Sequence, residues 1–120
     1  MTSTAAMASK EIWGLLEASV QLSETSAQCL VQFASSEPFF SGHFPDYPLV
    51  PGMVMVEGLV RLAQRLAQTS APLQAISDAK FMSEVRPGDV ATYHVQREAV
   101  GFSGWVQVAE RTVLKTHFTL

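Results

Sequence analysis

The sequence has 120 residues, is 48% hydrophobic and 16% charged, and carries a formal net charge of −3. This length suits one domain with one core, and the charge excludes the broad basic surface that nucleic-acid binding needs. The single cysteine, Cys29, excludes a disulfide framework and a multi-cysteine zinc site; with no long apolar signal core and no run of the ~18 apolar residues a membrane span needs, a cytoplasmic chain with no membrane association is expected.

One domain is expected over residues 1–120, with residues 1–9, small and polar, disordered. KEIWGLLEASVQL, from residue 10, has mixed periodicity and reads as either a short helix or a first strand. AQCLVQFAS, residues 27–35, alternates in part and reads as a strand with Cys29 as a small buried hydrophobe. The proline-rich loop 37–51 forbids a helix interior or a central strand. A helix is predicted from Pro51 or Gly52 to about Gln68, stopping before TSAP, where Pro72 disfavours continuation. Its first turns are apolar nearly all round, which predicts burial. Its later turns carry Arg61, Gln64, Arg65 and Gln68. Strands follow in LQAISDAKFMSEV and VATYHVQREAV, with turns at residues 86–89 and at GFSG; WVQVAERTVLKTHFTL is one long bent strand or two short ones. One helix early and several adjacent strands late predict an α+β fold, an antiparallel sheet covering a single central helix.

Two titratable residues stand in unusual settings. His43 sits in SGHFPDYPLVPG, where three prolines and two glycines restrict the loop. Glu57 lies between Val56 and Gly58 in the most apolar part of the helix. Burial there would favour its protonated form, and a protonated carboxyl can act as a general acid. His43 precedes the positive end of the helix, which favours the neutral imidazole a general base requires. The helix start adds free N–H donors for an oxyanion, and Gly52 permits close approach of a ligand. Base, acid and oxyanion donor suit proton abstraction beside a carbonyl followed by loss of a leaving group. The residues alone leave the function open: a lone loop histidine is usually structural, and a lone helical Glu usually pairs with an arginine, here Arg61 or Arg65. Neither His43 with Asp46 nor His94 with His117 has a strong metal-ligand spacing, and no nucleotide-binding glycine loop occurs, so no metal and no cofactor are expected.

EPFFSGHFPDYPLVPGMVMVEGLVRLAQ resembles the active-site segment of hot-dog-fold 3-hydroxyacyl-(acyl carrier protein) dehydratases of the FabZ/FabA type. The resemblance rests on Phe39, Phe40, Gly42-His43-Phe44-Pro45, Pro48, Pro51-Gly52 and Glu57, and on a second block, DAKFMSEVRPGDVATYHV, with Lys80-Phe81 and Pro87-Gly88-Asp89. It implies a long central helix wrapped by a curved antiparallel sheet, and a dimer in which His43 of one subunit faces Glu57 of the other. His43 would take the C2 proton of a 3-hydroxyacyl thioester, Glu57 would protonate the departing hydroxyl, and the Gly52 amide would bind the thioester carbonyl. Phe44 and Tyr93 would line an acyl tunnel. The partner would be an acidic acyl carrier protein, with Arg61, Arg65, Lys80, Arg86 and Arg97 as docking candidates. The chain departs from the family's usual pattern at Gly58, where Ala is common, and at Arg61, where Gln is common. It therefore resembles a divergent, short member serving a fatty-acid, polyketide or polyene pathway. A hot-dog acyl thioesterase and a non-catalytic acyl-binding partner subunit of a heterodimer are the alternatives.

Overall fold

A computed structural model describes residues 11–37, 40 and 49–120. The expected disorder of residues 1–9, the base His43 and the tunnel residue Phe44 lie outside the described residues. In chain order the elements are β1 (Leu15–Leu22), β2 (Ser26–Gln32), α1 (Gly52–Ala67), β3 (Ala75–Phe81), β4 (Val90–Arg97), β5 (Phe102–Val108) and β6 (Arg111–Thr119). The ambiguous segment after residue 10 is thus a strand, and the last sixteen residues hold most of a hairpin. GFSG is only in part a turn. Gly101 turns the chain at φ +76, and Phe102 already begins β5. A Cβ on Gly101 would run into the Phe118 carbonyl oxygen, so the turn needs glycine for space as well as for its backbone angle.

The six strands form one antiparallel sheet in the order β1-β2-β4-β5-β6-β3. Alternation fixes its inner face: Cys29 and Val31 on β2, Tyr93 and Val95 on β4, Val106 on β5 and Phe118 on β6 are all buried, while their neighbours point outward. This face packs on α1 through Met55, Val56, Leu59, Leu62, Ala63 and Leu66. β3 pairs with β6 at the sheet edge, where all its residues but Ile76 are exposed.

Helix α1 starts as predicted. Pro51 is its N-cap residue in extended geometry, φ −60 and ψ 135, with no side-chain cap. The helix ends at Gln68, which turns left-handed at φ 53. There the Gln68 and Thr69 N–H groups donate back to the Arg65 and Gln64 carbonyls at 3.2 and 3.1 Å, which satisfies the last turn. Among the described residues no helix is long and apolar enough to cross a membrane.

Candidate active site

The helix presents two faces to two environments. Residues 55, 59, 62, 63 and 66 face the sheet and are buried. Met53, Glu57, Arg61, Gln64 and Gln68, spaced by three and four, form a stripe on the open side. The Glu57 side chain is therefore 53% exposed in this chain, which corrects the expectation of a buried carboxylate. The apolar run around it misled because Met53 is itself exposed and Val54 is only half-buried. Glu57 is also paired: the Arg61 guanidinium donates through Nη2 to its Oε2 at 3.0 Å, an i,i+4 ion pair. Of the two arginines considered for Glu57, Arg61 is the partner; Arg65 instead binds Glu17 at 2.8 Å and holds that carboxyl below its ordinary value.

A groove of about 670 Å³ runs beside this pair, lined by Met53, Val54, Val56, Val60, Pro72 and Leu73 as well as Glu57 and Arg61. Its walls are mostly apolar, and its charged groups are Glu57 and Arg61. On the other side of Arg61 a second groove of about 790 Å³ reaches Glu11, Ile12, Leu15 and Glu17.

At the helix start, the space left by the absent Gly52 side chain is filled by the half-exposed Phe81 ring of β3; a Cβ there would overlap the ring. Phe81 therefore covers the helix end at which the Gly52 amide sits. The Lys80-Phe81 pair was legible as a motif, but its contact with Gly52 crosses the helix and a strand and left no local signal. Tyr93 lies fully buried on β4 with its ring against Gly58, the residue after Glu57. Its hydroxyl has no hydrogen-bond partner among the described residues, and burial drives its pKa upward. Opposite it across the β2–β4 ladder, Cys29 is buried as expected, and burial pushes its thiol up to about 12.

The candidate docking cations differ in their engagement. Arg61 and Arg65 bind carboxylates, Arg86 pairs with Glu84, and Arg97 donates to the Glu24 and Leu66 carbonyls. Lys80 makes no ion pair among the described residues.

Residues 19–115, about four fifths of the chain, match the sequence family described as ApeI-like, ApeI dehydratase. Among curated relatives, the 3-hydroxyacyl-[acyl-carrier-protein] dehydratase FabZ of Pseudothermotoga lettingae is 42% identical over 86 residues, covering 68% of this chain and 61% of its own length. The FabZ of Thermotoga maritima is 36% identical over 115 residues, covering 88% of this chain and 84% of that one. The match thus spans about three fifths of the first relative and most of the second. Among solved structures, the dehydratase heterocomplex ApeI:P from Xenorhabdus doucetiae superposes with a TM-score of 0.74 at 19% identity, covering 81% of this chain and 88% of that one. An uncharacterised protein from Pyrococcus horikoshii superposes at 0.68 with 17% identity, covering 94% and 85%. These likenesses show the hot-dog fold, with the sheet packed on one central helix.

Proposed function

The chain belongs to the ApeI-like dehydratase family, and on that premise we propose that it removes water from a 3-hydroxyacyl thioester borne on an acyl carrier protein, leaving the trans-2-enoyl thioester. The carrying observation is the FabZ likeness over 115 residues with the His43-to-Glu57 frame retained, Glu57 standing beside an apolar groove of acyl-chain character. The product belongs to acyl-chain synthesis of the fatty-acid, polyketide or polyene kind.

In the proposed reaction His43 accepts the proton from C2, the C2–C3 double bond forms, and the C3–O bond breaks. Glu57 gives its proton to the departing hydroxyl, so the oxygen leaves as water. The Gly52 amide at the start of α1 donates to the thioester oxygen while charge develops there. The Phe81 ring fills the space where a Gly52 side chain would stand, so it would form one wall of the thioester's approach. Tyr93 and Phe44 are the proposed tunnel residues. The exposure of Glu57 supports a site completed by a second subunit, whose His43 would cover the carboxyl. Exposed Met53, Phe81 and Met82 offer apolar surface for such a partner, either a second copy of this chain or a related one in a heterodimer. Of the docking candidates Arg61, Arg65, Lys80, Arg86 and Arg97, the reading favours Lys80, which makes no ion pair among the described residues, to meet an acidic carrier protein.

Incubation with 3-hydroxyacyl carrier proteins of graded length, read by mass spectrometry, should show loss of one water. His43→Ala and Glu57→Gln should each abolish that loss while the protein stays folded. Release of free acid without enoyl formation would point to a thioesterase instead, and full activity in either variant would reject the assigned roles.

A further inference from the structure

We infer that the outer face of the sheet, turned away from α1 and from Glu57, carries a second site that binds a neutral sugar ring. The outward positions of β4, β5 and β6, which alternate with the buried ones, line a groove of about 640 Å³. That size is ordinary for a small-molecule site. Trp105 is the one large apolar side chain in the lining; Gly104 apart, the rest is polar. His94 of β4 stacks on one face of the indole, with ring centroids 5.0 Å apart and planes 9° from parallel. The strand register puts His94 and Lys115 on opposite sides of Trp105. The second indole face is therefore turned toward β6 and the groove.

The side chains around this platform are held in place before a ligand arrives. Gln107 hydrogen-bonds His94 and so steadies the stack. The Ser103 hydroxyl donates to Glu98 Oε2 at 2.9 Å. Ser77 Oγ meets Nδ1 of His117 at 2.8 Å, which leaves Nε2 of that ring for the groove. Groups already fixed lose little entropy on binding. The charges in the lining then select the ligand. Asp78 and Glu98 oppose an anion, and Lys115, in register with Trp105, opposes a cation over the indole. No second apolar wall faces Trp105, so an acyl chain would stay wet along one side. What fits is a neutral ring with C–H groups for the indole face and hydroxyls for the carboxylates and carboxamides around it, which is a pyranose.

Nuclear magnetic resonance on the isotope-labelled full chain tests this, with methyl glucoside, methyl galactoside and N-acetylglucosamine as probes. The indole N–H signal of Trp105 should shift to saturation with at least one of these sugars, while that of Trp13, the other tryptophan, stays in place. In Asp78→Ala and in Glu98→Gln the affinity read from the same signal should fall about tenfold, because a hydroxyl of the sugar loses its charged acceptor. The remaining spectrum should stay that of the folded parent. Adenosine monophosphate and choline are the anionic and cationic controls, and each should bind more weakly than the best sugar. No saturable shift of Trp105 with any of the sugars, unchanged affinity in both variants, or tighter binding of either control overturns the inference.

Discussion

Gly58→Ala tests the packing beneath the acid. Position 58 is in the middle of α1, where alanine is favoured over glycine by about 1 kcal/mol. On an open helix the substitution would therefore stabilise. Here the new Cβ would overlap Cε2 of Tyr93 and stand 3.3 and 3.4 Å from Cδ2 and Cζ. The ring has little room to retreat, because Tyr93 is fully buried and β4 is held between β2 and β5. Overpacking of this kind costs about 1–3 kcal/mol, which outweighs the propensity gain and leaves a net loss of about 1 kcal/mol. Urea unfolding at fixed protein concentration measures it. In a Tyr93→Leu background the overlap is gone, so Gly58→Ala should there stabilise, giving a coupling of about 2 kcal/mol. A Tyr93→Phe background should not relieve the clash, because ring carbons make it. Stabilisation by Gly58→Ala in the parent chain, or the same effect in both the parent and the Leu background, would refute the contact.

Tyr93→Phe alone should raise stability by about 1 kcal/mol, since it removes a buried hydroxyl with no partner and keeps the ring; a loss in urea unfolding would show that the hydroxyl is satisfied. Native Cys29 should resist a maleimide at pH 8 and react once the chain is unfolded, because burial holds its thiol up near 12; fast labelling of the folded protein would contradict its burial. His94 stacks on Trp105 at 5.0 Å, and burial lowers its pKa below 6.5. The unfolded chain then takes up the proton first, so the contribution of His94 to stability is complete above 6.5 and is lost as pH falls below it. Unfolding midpoints of His94→Gln should fall less steeply than those of the parent over that window, and parallel curves would refute the assignment.

What could be read from the chain followed the range of each signal. The bounds of α1 were legible because Pro51-Gly52 at one end and Pro72 beyond the other are local punctuation, and Gly52–Ala67 is close to the predicted span. The alternation in β4 was equally local, and its buried Tyr93 follows from it. The position of β3 was not legible. Its strand character is in its sequence, but pairing with β6 rather than with a chain neighbour is a property of topology. The exposure of Glu57 was lost for a different reason. Hydrophobicity counted along the chain ignores direction, and Met53, Val54 and Val60 flank a groove while Met55, Leu59 and Leu62 fill the core. Only the three-and-four spacing of Met53, Glu57, Arg61, Gln64 and Gln68 separates the two faces.

That separation also predicts which changes act on stability and which on chemistry. Leu59 and Leu62 are fully buried against the sheet, so truncating either to alanine removes core contacts at about 2–5 kcal/mol, with activity lost only as far as the fold is lost. Glu57 lies on the opposite side, more than half exposed, and contributes little to the core, so Glu57→Gln should leave the unfolding midpoint nearly unchanged. Gly58 stands at the boundary: any Cβ there would run into the buried Tyr93 ring, while its neighbour in sequence carries the acid. A shift of the helix at this one residue therefore moves Glu57 as well. Glycine at this position lets the helix sit close on Tyr93, so the packing of the core and the placement of the carboxyl are set by the same contact.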